Sequence, residues 1–202
     1  MEIRISHNFA EVQRQLDRLS WEVGGLALNS AVQKTMQQAK TQMVRAITSE
    51  FNITAGKVRQ KLIVERARFR DGKFNVRAAL VSDSMFGRRS INLINFDARQ
   101  ARRLGRLTVK IRRRGGRIPV RGLYKQGAFI GNKGRTVFER IPGTLMKDRH
   151  SEKLRAVTTI DVPQMFNTRR INAPVVAFIR RKFPELFERE ARYYTDRFNS
   201  SR

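Results

Sequence analysis

The chain has no cysteine and few histidine, tryptophan or acidic residues: its 202 residues include two histidines, one tryptophan and 17 aspartates or glutamates. Without cysteine, neither a disulfide framework nor a thiolate metal site can form. No run of about 18 apolar residues occurs, and the first residues lack the apolar core of a signal peptide. We therefore expect a protein that is made and used in a cytoplasm, or in a particle assembled there, with no membrane partner.

The side chains that catalysis uses are few and scattered. His7 and His150 are far apart in sequence and lack metal-ligand spacing, so each is interpreted as solvent-exposed. The one carboxylate cluster, residues 185–190, lies beside basic residues at helical spacing, which ion pairing explains. The glycines within 114–117 are not followed by the Gly-Lys-Ser/Thr of a phosphate-binding loop. The sequence predicts no enzyme, no cofactor and no metal site.

Positive charge is the feature that departs most from an average protein. Lysine and arginine number 43, which leaves a formal net charge of +26. Self-repulsion on this scale opposes compaction, so we expect a polyanion or an acidic protein beside the chain in its working state. A basic tract with Asp97 as its only acid supplies the candidate contacts to DNA or to an acidic partner: Arg88, Arg89, Arg99, Arg102, Arg103, Arg106, Lys110, Arg112, Arg113, Arg114, Arg117 and Arg121.

The composition of this tract favours contacts to the phosphate backbone of a nucleic acid over contacts to its bases. Arginine outnumbers lysine there, which suits bidentate contacts to phosphate or carboxylate. Phe86 and Phe96 are its only aromatic residues, so base stacking and sequence-specific binding are disfavoured. An alternative stays open, in which residues 112–122 form an exposed loop that orders only against acidic faces of neighbouring subunits.

The N-terminal third predicts helices. Asn8 and Glu11 resemble a capping box before a short amphipathic helix, and a second helix is expected from about Ala27 to Glu50. Its narrow apolar stripe fits an intrachain core helix or, alternatively, a subunit interface made by Val32, Met36, Ala39 and Met43.

Thr54 is predicted to cap a third helix through about Leu62. The two helices around residues 51–53 resemble a helix-turn-helix, but the connection has no glycine. A packing role is therefore favoured over DNA reading by the third helix.

Farther along the chain, the spacing of the apolar residues changes from the helical period to strict alternation, which is typical of strands. Strands are predicted from about residue 73 to 81 and from 107 to 112, a hairpin at 127–140, and a strand from Lys153 to Ile160 that ends at 161–163. A C-terminal helix follows Asn172, with a kink or restart at Pro184. The order predicts an α+β fold in a single domain, residues 1–202: a helical part at 1–66, a sheet part at 73–160 with the basic loop 112–122, and the helix at 172–199.

Several segments resemble the prophage minor tail protein Z family, the tail completion proteins of phages. They are Ala27–Ala31, Lys57–Leu62, Ser90–Gln100, Gly127–Ile130, Val137–Arg140 and Val162–Phe166, and the resemblance covers roughly residues 20 to 190. No single motif is diagnostic, and the identification depends on their order and spacing. Thr159-Ile160-Asp161 departs from the Gly-Pro-Ser that the family often carries there.

The resemblance implies a structural virion protein at the head-proximal, or neck, end of the tail. Such a protein forms a ring, usually a homohexamer, contacts the tail tube or terminator and the neck or head-completion proteins, and can admit double-stranded DNA to its lumen. It would be assembled in the host cytoplasm, and no catalytic residue is carried over. Two other hypotheses stay open: a free, sequence-nonspecific double-stranded nucleic-acid-binding protein, and a metal-dependent phage nuclease.

Overall fold

The computed structural model describes residues 2–5, 12, 21–70, 75–82, 90–101, 106–122, 127–147 and 150–200. Long helices at both ends of the sequence and three small antiparallel sheets confirm the α+β class. The chain divides into two compact units, one formed by Met1–Arg45, Arg59–Asp83 and Phe166–Arg202, the other by Ala46–Val58 and Ser84–Met165. Among the described residues, no helix combines the length and the apolar character that crossing a bilayer requires.

Helix α1, Trp21–Glu50, is the long helix predicted from the apolar stripe. It begins six residues before the expected Ala27, because Gly24 and Gly25 are buried inside it and do not interrupt it. The expected preceding helix lies outside the described residues, apart from a buried Val12. The stripe itself is buried, through Leu28, Val32, Met36, Ala39 and Met43.

Helix α2, Ala55–Lys61, follows Thr54, whose carbonyl oxygen accepts hydrogen bonds from the Lys57 and Val58 amides. Strand β2, Leu62–Arg70, follows α2 directly, and it pairs with β3, Asn75–Ser82. Strand β1, Glu2–Ile5, pairs with the other edge of β3, which gives the order β1-β3-β2. Strands β1 and β2 were not predicted for the helical part at residues 1–66, while the strand expected from residue 73 is confirmed as β3.

The second unit holds two further sheets around one apolar core. The first contains β4 (Arg99–Gln100), β5 (Leu107–Val109) and β6 (Ile118–Pro119) in that order. The second contains β7 (Ala128–Gly131), β8 (Thr136–Leu145) and β9 (Glu152–Ala156), also in sequence order. The core consists of Leu93, Leu107, Val109, Ala128 and Val137.

The predicted hairpin is confirmed as β7 and β8. Its turn places Asn132 and Lys133 at φ +50° and +53°, and Gly134 at +81°, the left-handed conformations that match the twist of a hairpin. Strand β9 ends at Ala156, earlier than the Ile160 expected from the alternation.

Asn92 fixes a short 3-10 helix, Leu93–Phe96, against strand β8. Its Oδ1 accepts from the amides of Ile94 at 3.0 Å and Val137 at 2.9 Å. Its Nδ2 donates to the Val137 carbonyl at 3.0 Å. The side chain of Asn92 therefore connects this segment of the basic tract to strand β8.

Helix α3, Val162–Asn167, was not predicted, because the Val-Pro pair was interpreted as the end of a strand. Asp161 and Gln164 form a reciprocal capping box at its start: the Gln164 amide donates to Asp161 Oδ1 at 2.8 Å, and the Asp161 amide donates to Gln164 Oε1 at 3.1 Å. The Asp-x-x-Gln spacing was the available signal.

Helix α4, Arg169–Ser200, is the predicted C-terminal helix, and it starts three residues before Asn172. It continues through Pro184 as one element, so the helix does not restart there. Its buried face consists of Ile171, Val175, Ile179, Phe183, Leu186, Phe187, Glu190 and Ala191.

Candidate polyanion-binding surface

The described part of the basic tract lies on the β4-β5-β6 sheet of the second unit and on the turns between its strands. Arg88, Arg89, Arg102 and Arg103 fall outside the described residues. The other eight run from β4 to the residues after β6, as follows: Arg99 on β4, Arg106 before β5, Lys110, Arg112, Arg113 and Arg114 after β5, and Arg117 and Arg121 on either side of β6.

Backbone hydrogen bonds fix the turn that carries Arg112, Arg113 and Arg114. The Arg113 amide donates to the Glu50 carbonyl at 2.9 Å, the Asn52 amide donates to the Ile111 carbonyl at 2.8 Å, and the Gly115 amide closes the turn on Arg112 at 3.3 Å. An isolated bridge also joins Phe51 and Arg112. These hydrogen bonds connect the turn at residues 112–115 to the end of α1 and the residues after it.

Arg117 is directed into its own unit. Its guanidinium donates to Asp97 Oδ2 at 2.6 Å, to the Thr108 carbonyl at 3.1 Å and to the Asp97 carbonyl, and its Nε donates to Thr108 Oγ1 at 3.1 Å. Five N–H groups in a fixed fork allow one arginine to make all these bonds. Arg117 therefore tethers β5 to the end of the 3-10 helix, and it has little capacity left for an external anion.

Asp97 is shared by two arginines. Arg99 Nε donates to Asp97 Oδ1 at 3.1 Å, while Arg117 holds the other carboxylate oxygen. Hydrogen bonds from Arg99, and then from Arg117, lower the pKa of Asp97 below its usual value. Asp97 also has φ +50°, a left-handed conformation that aspartate tolerates better than most residues. Asp97, the only acid of the tract, thus holds the side chains of Arg99 and Arg117 in place.

The remaining described arginines of the tract face outward. Arg112 is exposed and lies 3.8 Å from Glu50, a weak pair, and Lys110 is half-buried. Four more are exposed and form no ion pair with any described residue, namely Arg106, Arg113, Arg114 and Arg121. Guanidinium groups of this kind can bind phosphate or carboxylate oxygens with two parallel hydrogen bonds.

A cleft of about 310 Å³, lined by both polar and apolar residues, borders this surface. Arg113 and Asp97 line it together with Asn52, Thr54 and Asn95. It offers hydrogen-bond donors and acceptors but only one acid and one base. Across the described ranges, no three His, Cys, Asp or Glu side chains gather where they could hold a metal ion. Among the described residues, the exposed guanidinium groups suit binding of an anionic partner.

The four residues considered for a subunit interface are buried within the chain's own fold: Val32, Met36, Ala39 and Met43 are each at most 1% exposed. They lie where the intrachain-core alternative places them. In this conformation a second subunit has no access to them.

The carboxylate cluster of α4 was only partly predicted. Lys182 pairs with Glu185 and Arg192 with Glu188 at helical spacing, as expected. Glu190 differs, because it is 3% exposed and accepts from Lys34 Nζ at 2.6 Å on α1.

Ser30 of α1 also donates to Glu190, at 2.8 Å, and Arg189 contacts its other oxygen at 3.2 Å. Burial by itself raises the pKa of Glu190, but the hydrogen bonds from Lys34 and Ser30 outweigh that effect, and the pKa is lowered overall. Sequence spacing could not reveal this contact, because Lys34 and Glu190 are 156 residues apart.

A protein family described as prophage minor tail protein Z (GPZ) matches residues 9–197. No curated protein matches the chain, and no solved structure does.

Proposed function

The chain belongs to the prophage minor tail protein Z family and is a structural protein of a phage tail; from that premise, we propose that it completes the head-proximal end of the tail. In this role it forms a ring, contacts the tail tube or terminator on one side and neck or head-completion proteins on the other, and helps to join the tail to the head. It acts without catalysis.

The observation that carries this proposal is the fixed, exposed arginine surface on a chain of net charge +26. Six copies in a ring would hold on the order of 150 positive charges, six times +26, and such a ring needs anionic neighbours. Double-stranded DNA in the lumen, or acidic faces of neck proteins, would supply them. Arg113 and Arg114 are candidate contacts, because backbone bonds hold their turn while their side chains stay exposed.

Passage of DNA limits how strongly this surface can hold it. A lumen that bound the duplex tightly along its length would resist ejection. We therefore assign part of the surface to acidic protein neighbours, or to the terminal segment of the DNA.

Omission and add-back of the protein test the proposal. Tails assembled without this chain should fail to join DNA-filled heads, and adding the purified protein should restore joining, counted as complete particles by electron microscopy. Normal joining and DNA delivery by tails that lack the chain would overturn it.

The second candidate is a free, sequence-nonspecific binder of double-stranded nucleic acid, which the exposed arginines favour. Salt-dependent binding to random duplex separates the two functions. Tight, stoichiometric binding by the monomer at about physiological salt supports the free binder, whereas negligible affinity under those conditions supports the structural role.

A further inference from the structure

The N-terminal half of helix α4 carries positive charge that the described acidic residues compensate only in part. Five basic residues and no acidic residue occur from Val162 to Pro184. Arg169, Arg170 and Arg180 are exposed and form no ion pair with a described residue. In the C-terminal half of the same helix, two of the three arginines pair with acids: Arg189 with Glu190 and Arg192 with Glu188. Among the described residues, this asymmetry leaves Arg169, Arg170 and Arg180 available to acids of another molecule.

Helix stability does not explain these arginines. Arg169 and Arg170 occupy the first turn, which contains no acid, and positive charge is unfavourable at that end of the helix dipole. Their exposure rules out a packing role within the described fold.

A cleft of about 480 Å³ runs between two of these arginines. Arg169 and Arg180 lie at its ends, Ala173, Val176 and Ala177 form its apolar floor, and Asn167 and Asn172 add polar groups. The two arginines are eleven positions apart in sequence, so they lie on one face of the helix about 16 Å apart. An apolar floor between two cations matches a peptide that carries an apolar side chain between two carboxylates.

We propose that this cleft binds an acidic amphipathic helix of a neighbouring virion protein, with two carboxylates about three helical turns apart contacting Arg169 and Arg180. The identity of the partner as a tail or neck component rests on the proposed function; the chemistry of the cleft does not. Duplex DNA fits the cleft less well, because phosphates gain nothing from an apolar floor.

Peptide binding tests the inference. The probe is a labelled, blocked helical peptide of about 15 residues, with two glutamates about eleven residues apart and two leucines between them on the same face. The reference peptide has glutamine at both glutamate positions. The wild-type chain should bind the probe at least about tenfold more tightly than the reference, as measured by fluorescence anisotropy.

Two variants and a matched control separate the contributions of charge and cleft. Arg169→Gln with Arg180→Gln removes the cations, and Ala177→Trp fills the cleft without changing charge; each should weaken probe binding by about tenfold or more. Arg192→Gln removes a cation from the same helix outside the cleft, and binding should stay unchanged. Circular dichroism confirms that each variant folds.

Equal binding of both peptides, or unchanged binding by the variants, would overturn the inference. So would random duplex binding that requires Arg169 and Arg180 and is insensitive to Ala177→Trp, because the surface would then contact DNA. These outcomes are independent of head joining: the peptide result can fail while the chain still completes tails, and the reverse also holds.

Discussion

The guanidinium of Arg117 donates to the Asp97 carboxylate at 2.6 Å and also to the backbone carbonyl of the same residue. One arginine of the basic tract is thus part of the scaffold that positions the others. The charge of the tract divides into an internal tether, which shapes the surface, and outward-facing side chains, which are available to a partner. The two groups should respond differently to substitution.

Replacing Arg117 should cost stability. Arg117→Gln removes bonds to Asp97 and Thr108, and with partial solvent screening we expect a loss of about 1–2 kcal/mol in the free energy of unfolding. Arg114→Gln is the matched control, because its exposed side chain forms no ion pair with a described residue, and its effect should stay within about 0.5 kcal/mol. Urea unfolding measures both; equal stability losses would show that Arg117 is not a tether.

Replacing the outward-facing arginines should change polyanion binding with little effect on stability. The triple variant Arg113→Gln, Arg114→Gln, Arg121→Gln removes three candidate phosphate contacts. Each lost contact makes the negative slope of log K against log salt shallower by about 0.9. The slope for duplex binding should therefore fall by about two to three. A slope equal to that of the wild type would place the anion contacts elsewhere on the chain.

The buried Glu190 should make stability depend on acid pH. Its pKa is below the ordinary 4.5 in the folded chain, so its stabilising contribution is present above about pH 4.5 and is lost as the pH falls through the folded-state pKa. Glu190→Gln should destabilise the chain at pH 7 by about 1–3 kcal/mol, because Lys34 loses its partner.

The difference in the free energy of unfolding between wild type and Glu190→Gln should then decrease as the pH falls below 4.5. Glu188→Gln, an exposed acid on the same helix, is the control and should show a small effect throughout. A stability difference that stays constant from neutral pH to pH 3 would contradict this account of Glu190.

Asn92 should be hard to replace. In Asn92→Ala the amides of Val137 and Ile94 lose their acceptor, which should lower the free energy of unfolding by about 2 kcal/mol or more. Asn92→Asp retains an acceptor oxygen and should lose less. Thermal unfolding compares the stability of the two variants. Equal losses of stability would show that the acceptor oxygen of Asn92 does not account for its stabilising effect.

The sequence predicted the elements whose signals are local. The stripe of α1 and the turn at 131–134 depend on spacing within a few residues, and both were found. Strand β2 was missed because it follows α2 without a turn residue and gains its stability from pairing with β3. Helix α3 was missed although Asp161 and Gln164 carry its capping signal.

The candidate surface was predicted as a set of charges, but the different roles of its members were not. Arg113 and Arg117 are the same residue type and close in sequence, yet Arg113 is exposed and Arg117 is bound to Asp97. What separates them is the fold, which brings Thr108 and Asp97 to Arg117 and the end of α1 to the turn at Arg113. The cleft on α4 was not predicted, because its arginines lie outside the basic tract.

A cryo-electron microscopy map of completed tails tests the central claim most directly. The account predicts density for a closed ring of this chain at the head-proximal end, with the turn at Arg112, Arg113 and Arg114 facing DNA or an acidic protein surface. A map that places the chain along the tail shaft or at its distal tip, or that lacks it altogether, would contradict the account.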